Sequence, residues 1–211
     1  MSLGDRNYTE RMFSAMVSIV FIAFLMITRT AAKSDIGAIL KLQSLNLSSN
    51  LSTEELKEGF VTTLITKEQI QTIMAQTGLF VAEKQQTVVG YAYAGSWDYF
   101  AQWGIVPYML SRLNKMDFEG EKITADNSFQ YGSVCIAKSH RGGAFPQLFA
   151  TMRTNMAAKY PIGITFINRL NQRSLKAHQK LNLIIIDEFE FSNGSYCSLA
   201  FPTQVDRLRF S

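Results

Sequence analysis

A single α/β domain built on a sheet of mixed strand direction is what this sequence predicts, and three observations predict it. Two β-rich runs, Leu79 to Glu83 and Thr87 to Ala94, flank a polar turn and read as an antiparallel hairpin. A strand from Phe129 to Ile136 passes through a turn with two glycines into a helix from about Pro146 to Lys159, and a second strand, Ile162 to Asn168, leads into a helix from about Gln172 to Leu181. The closing IIIDEFEFSNGSYCSLAF reads as two strands about Asn193 and Gly194, the dipeptide that two-residue type I′ hairpins prefer. With 211 residues, 47% of them hydrophobic, the chain is long enough to bury one substantial core.

Ahead of the hairpin, FLMITRTAAKSDIGAILKLQ reads as an opening strand, a turn and a helix over roughly 35 to 45 with Asp35 as its N-cap. Ser52 or Thr53 caps a short acidic helix, and Thr66 begins a further helix, KEQIQTIMAQ, that ends at Gly78. The run from Met12 to Thr28 carries no charge, follows Arg6 and Arg11, and also resembles a signal peptide or short anchor. Removing or inserting it would take the opening strand out of the sheet. We therefore expect a cytoplasmic domain over 26–211 and, in residues 1–25, an apolar extension or oligomer contact instead of a membrane span; a homodimer is left open, and an anchored or exported protein is the competing class. The aromatic-rich SWDYFAQWGIVPYMLSRLNK reads either as a lid or acceptor pocket or as helices packing their rings into the core.

The formal charge of +4 arises from 21 basic and 17 acidic residues spread along the chain, without the run of like charges that marks a nucleic-acid-binding tail. A modestly basic surface suits an anionic ligand, and no nucleic-acid partner is expected. Cys135 and Cys197 lie in apolar surroundings outside any CxxC or His/Cys metal spacing, which reads as buried free thiols in a reducing compartment and no metal site.

Two blocks carry the chemistry. VCIAKSHRGGAFPQLF is an apolar strand running through Arg141, Gly142 and Gly143 into a helix. Glycines there let consecutive backbone N–H groups turn inward as an anion nest, and the helix start adds the positive end of its dipole. Downstream, ITFINRLNQRSLKAHQKLNL places Ser174, His178, Lys180, Asn182 and Leu183 in fixed order behind Asn171. Together these blocks resemble the GNAT N-acetyltransferases, whose first motif is an apolar strand, Arg-Gly-x-Gly-x-Gly or Ala and a helix, and whose second runs Asn, Ser or Ala, Tyr, Lys and Gly-Phe at the same spacing. The likeness spans roughly 26 to 201. Aligned without a gap, Ala144 and Pro146 fall at the fourth and sixth motif positions after Arg141, and proline has no N–H to offer a phosphate. A one-residue deletion puts Gly143 and Phe145 there and leaves Pro146 in the first helical turn, where it is tolerated.

The resemblance implies a mostly antiparallel mixed sheet flanked by helices, with two adjacent parallel strands forming an acyl-CoA cleft. It implies transfer of the acetyl group of acetyl-CoA to an amine of a small molecule or peptide by direct attack, or, as the alternative, a GNAT-fold protein that binds acyl-CoA with little or no turnover. By the same likeness the pyrophosphate would lie against Arg141, Gly142, Gly143, Ala144 and Phe145. The pantetheine arm would lie along Cys135 and Ile136, whose N–H groups would polarise the acetyl carbonyl. Asn171 would bond the pantetheine amides or cap the helix after it, with Ser174 beside it, and His178, at the tyrosine position, would be the general acid for the departing thiolate. Asn182, at a glycine position, is expected to take the left-handed conformation. Glu83, Asp98, Tyr131 and His140 all stay open as general base, as does a chain of waters.

Overall fold

The computed structural model describes residues 26–204, so the expectation for residues 1–25 lies outside the described residues. Strand β1 (Met26–Thr30) pairs antiparallel with β2 (Leu79–Lys84), which turns back into β3 (Thr87–Gly95). A small hairpin of β4 (Asp117–Phe118) and β5 (Glu121–Lys122), for which the sequence carries no strand signal, precedes β6 (Ser128–Ile136). Then come β7 (Ile162–Asn168), β8 (Ile184–Phe191) and β9 (Gly194–Pro202). Among the described residues the main sheet has seven strands in the order β1-β2-β3-β6-β7-β9-β8, and only β6 and β7 run parallel. This is the mixed, mostly antiparallel sheet with one adjacent parallel pair that the resemblance implies.

Helices cover both faces. On one lie α1 (Ile36–Ser44), α3 (Lys67–Ala75), α4 (Trp97–Phe100) and α5 (Ile105–Leu110); the short α2 (Thr53–Leu56) sits in the connection between α1 and α3. On the other lie α6 (Ala144–Met156) and α7 (Gln172–Gln179). The alternation of β6 divides its side chains between the two cores. Phe129 and Tyr131 pack with Phe149 and Phe201 beneath α6, and Ser128 on the opposite face accepts a hydrogen bond from Trp97 Nε1 at 3.0 Å. The aromatic segment thus supplies core rings through Trp97, Tyr99 and Phe100. Among the described residues, no helix is long and apolar enough to cross a membrane.

Local chemistry explains most boundaries and corrects two. Ser52 and Thr66 each accept a hydrogen bond from the backbone N–H three residues on, and Glu55 and Gln69 answer them as capping boxes. Asn182 takes φ 63°, the left-handed turn expected of it. Asp35 makes no cap hydrogen bond to α1. Its carboxylate instead accepts from Ala32 N and from the Arg29 guanidinium, which also grips Glu83 and so ties β1 to β2. In the closing hairpin the two turn residues are Ser192 and Asn193, with φ of 46° and 64°, and Gly194 already pairs with Phe191. The type I′ turn is therefore one residue earlier than the Asn-Gly dipeptide suggests.

Two devices shape the region between β6 and β7. The pair is joined only through Ser128–Gln130 against Ile162–Ile164, after which the strands part. Opposite β3, the partner of Ala92 is Val134 but that of Ala94 is Tyr131, so β6 carries an extra residue at a bulge where Gly132 adopts φ 150°. At the edge strand β8 a register shift between Ile185 and Asp187 makes a second irregularity, and there the Arg112 guanidinium forks onto the Asp187 carboxylate at 2.7 Å on both arms.

Glycine substitutions separate packing from backbone demand. A Cβ on Gly163 would lie 2.1 Å from Phe201 Cζ, inside the ring cluster of Phe129, Tyr131 and Phe149, whereas one on Gly142 meets nothing within 4 Å. Gly163→Ala is expected to lose about 1–3 kcal/mol of stability by overpacking. Gly142→Ala should stay within about 0.5 kcal/mol of the parent. Urea unfolding of the two variants checks the contrast.

Candidate functional site

The parting of β6 and β7 opens a cleft, and three joined pockets run along it. The central one, about 800 Å³ with its open mouth, lies over Gln130, Thr165 and the bulge at Gly132 and Ser133. It shares Phe60, Val61, Val134, Asn171, Ser174 and His178 with a pocket of about 560 Å³ toward the start of α6. At its other end it shares Trp103, Ile105, Phe166 and Tyr196 with an outer pocket toward the β8–β9 turn.

The two ends differ in charge. Arg141, Arg173 and Glu58 line the pocket toward α6. Glu58 is already paired with Arg173 at 2.8 Å, which leaves a net positive mouth beside a helix N-terminus. Among the described residues, no Asp, Glu, Lys or Arg lines the central or the outer pocket.

Seven of the ten expected site residues, Cys135, Ile136, Arg141, Phe145, Asn171, Ser174 and His178, line the pocket toward α6. Gly142 and Gly143 form the turn beside it, and the Ala144 side chain is fully buried in the core beneath α6. The surroundings of several differ from what the resemblance implies. Ala137 N donates to Val89 O on β3 at 2.7 Å. Because successive N–H groups of a strand face opposite edges, Cys135 N–H also turns to β3, and the groups facing the cleft are those of Val134 and Ile136. Burial pushes the Cys135 thiol up to about 12, so it stays protonated, with its sulfur toward Leu42 O in the opposite core. Gly142 and Gly143 both have negative φ, which removes any conformational demand for glycine in the turn. What remains is space, together with the N–H groups of Ala144 and Phe145, which open α6 and have no acceptor one turn back. Pro146, third in the helix, sits in the first turn as the gapped alignment requires.

The side chains of Arg141 and Asn171 are committed to the protein. Arg141 Nε donates to Ile136 O at 3.0 Å, its Nη1 to Glu58 O and its Nη2 to Asn46 Oδ1 at 2.8 Å. Asn171 Oδ1 caps α7 by accepting from Ser174 N at 3.2 Å, and its Nδ2 donates to Phe60 O at 3.0 Å. Both residues thereby hang segment 58–61, a wall of the cleft, on the two strands that part. Gln43 fastens the next stretch through two bonds to the Ile65 backbone at 3.0 Å. The sequence gives no sign of this wall, because SLNLSSNLSTEELKEGF reads as a polar, turn-rich stretch around one short helix.

His178 is 2% exposed and reaches the cleft only at its floor. The Ser174 carbonyl, which can only accept, lies 2.8 Å from Nδ1, so Nδ1 carries the hydrogen. Nε2 is then the acceptor facing the Tyr131 hydroxyl at 3.3 Å. Burial lowers its pKa to about 4, partly offset by the Ser174 carbonyl, so the ring is neutral near pH 7. The acid role expected of His178 conflicts with this geometry, because its one N–H is spent on Ser174. Of the base candidates, Tyr131 is buried, with its hydroxyl pushed well above its ordinary pKa by desolvation, and Glu83 is held by Arg29. Glu83, Asp98, Tyr131 and His140 are all absent from the lining of the three pockets.

No protein-family model matches the sequence, and no curated protein matches it. Solved structures do. An N-acetyltransferase from Staphylococcus aureus Mu50 is 21% identical over 85% of this chain and 99% of its own, with a TM-score of 0.57. An acetyltransferase of the GNAT family from Streptococcus agalactiae is 13% identical over 85% and 96%, with a TM-score of 0.59. A Salmonella typhimurium protein assigned as an acetyltransferase, solved with acetyl-CoA, is 16% identical over 85% and 94%, with a TM-score of 0.56. The chain has the fold of the GNAT acetyltransferases.

The buried imidazole makes stability depend on acidity. His178 titrates near 6.5 in the unfolded chain and near 4 in the folded one. The unfolded state therefore gains a proton first as pH falls, and stability is lost between those values at up to about 1.4 kcal/mol per pH unit. Urea unfolding at pH 7 and pH 5 should show this loss, with a shallower dependence in His178→Gln.

Proposed function

We propose that this protein is an acetyl-CoA-dependent N-acetyltransferase acting on an amine of a small molecule or peptide. The observation that carries the reading is the charge division of a continuous cleft, positive where the two parting strands meet the start of α6 and uncharged at the far end. The anionic end of the acyl donor fits the first: Arg173 and the N–H groups of Ala144 and Phe145 would meet its pyrophosphate, with Gly142 and Gly143 keeping side chains out of the way. Arg141 contributes charge from behind and positions the wall. The thioester then lies along the open edge of β6, where Val134 N–H and Ile136 N–H are the donors available to its carbonyl oxygen.

The amine nitrogen attacks the thioester carbon, the C–S bond breaks, and the proton lost by the new ammonium balances the thiolate as free thiol. The donor nearest the departing sulfur in this scheme is the Ser174 hydroxyl. His178 Nδ1 lies 3.4 Å from Ser174 Oγ and 2.8 Å from its carbonyl, so the ring N–H faces both oxygens and the Ser174 proton is left to point into the cleft. His178 is on this reading a positioning residue. A cytoplasmic setting belongs to the same proposal and is supported by Cys135 and Cys197, both buried and unpaired.

Calorimetric titration with acetyl-CoA and free-CoA release over an amine panel test the assignment: binding with release supports transfer, and binding without release favours an acyl-CoA-binding protein. Gly142→Val should weaken acetyl-CoA binding by about tenfold or more, a change of about 1.4 kcal/mol, with little change in stability. Unchanged affinity would remove the turn from the site. Ser174→Ala should slow single-turnover transfer by about tenfold at unchanged donor affinity, whereas an acid role for His178 requires His178→Phe to lose about a hundredfold.

A further inference from the structure

Gln130 lies at the last paired position of β6, opposite Ile164, so it forms the foot of the cleft. It is 1% exposed, and a glutamine is out of place on the core face of an apolar strand unless its amide is used. One half is used: Nε2 donates to Tyr131 O at 3.1 Å. That bond also fixes which way the amide faces, because two carbonyl oxygens cannot bond each other. Oε1 is the other half, and it is buried without a hydrogen-bond partner. Native proteins rarely leave a buried acceptor unmet, so this one calls for an explanation, and a donor on a molecule bound in the pocket that Gln130 lines supplies it.

The surroundings define what that ligand is. Phe60, Phe100, Trp103, Phe166 and Tyr196 wall the central pocket. Neither it nor the outer pocket has a charged side chain among the described residues. Glu58, the carboxylate on the cleft, is at the other end and paired. A polyamine, an aminoglycoside or a lysine side chain entering here would give up the hydration of its cations with no counter-charge to replace it. A flat apolar body loses nothing by leaving water.

We propose that the amine acceptor is an aryl or arylalkyl monoamine bound as its free base, with one N–H donated to Gln130 Oε1 and its ring among the aromatic walls. The proposal rests on the reading of the cleft as an acetyltransferase site and deepens it by naming the acceptor. In binding the substrate directly, Gln130 sets specificity.

Two readouts on the full-length protein loaded with CoA or acetyl-CoA keep the inference and that reading apart. Quenching of tryptophan fluorescence by 2-phenylethylamine, with spermidine as comparison, measures occupancy of the pocket beside Trp103 without turnover; CoA release measures transfer. The expected result is saturable quenching by 2-phenylethylamine and a kcat/KM about 100-fold or more above that for spermidine. Gln130→Met, which keeps length and removes the acceptor oxygen, should lower amine affinity about tenfold while acetyl-CoA affinity holds. Gln130→Glu should shift the preference toward spermidine by supplying the missing charge, a change that loss of packing alone would not produce. Equal or better use of spermidine by the parent, or amine affinity unaltered in Gln130→Met, overturns the inference and leaves acetyl transfer standing. Arylalkylamine binding without CoA release overturns acetyl transfer and leaves the pocket. Neither binding nor release overturns both.

Discussion

The parting of two parallel strands after three paired residues is the constraint on which the rest depends. A sheet normally spends every backbone donor and acceptor on its neighbours, so an interior pair that separates leaves polar edges that must be met in some other way. Here the bulge at Gly132 turns β6 away from β7, and the freed edge is met in part by the protein: Arg141 takes Ile136 O. The N–H groups of Val134 and Ile136 remain along the cleft. Helix α6 begins beside that edge, so strand donors and the positive end of a helix dipole converge without a charged side chain having to enter the cavity.

Neutrality is maintained inside by burial. His178 is kept uncharged by desolvation, Tyr131 is held as a phenol by the same cause, and Cys135 stays a thiol. Charges gather at one mouth, where Arg141, Arg173 and Glu58 reach solvent or one another. The fixed charge of the cleft thus grades from positive to none along its length, and under the proposed acetyl transfer that gradient would orient an anionic donor with one end out and its reactive end in.

Much of this was legible in the sequence, for reasons that can be assigned residue by residue. β7 was read at its observed bounds, Ile162–Asn168, because a β-rich run is fenced by Pro161 before it and a polar helix start behind it. The capping pairs of Ser52 with Glu55 and Thr66 with Gln69 are local and were readable as such. What escaped were properties fixed by partners far along the chain. Which N–H groups of β6 face the cleft depends on its register with β3, and because adjacent N–H groups face opposite edges, Ile136 keeps the place expected of it while Cys135 gives its place to Val134. The burial that keeps His178 neutral places its Nε2 against Tyr131, 47 positions away, and the wall at Phe60 depends on Asn171, 111 positions away. Gln130 left a signal that went unread, an amide within the buried strand SFQYGSVCI, and Gly132 marked the bulge in the same string.

The fork of Arg112 on Asp187 has a consequence for the molecule among its own kind. Among the described residues β8 is an outer strand of the sheet, and Ile184 and Ile185 on it are exposed. A straight, apolar border of this kind offers its unpaired backbone groups as a template for a strand from another chain. The register shift between Ile185 and Asp187 breaks that border in its first half, and the Arg112 guanidinium is bonded to Asp187 and set against the ring of Phe189. A second chain could align with only a few residues before meeting a kink and a desolvation cost, so among the described residues this border of the sheet is built to discourage edge-to-edge aggregation.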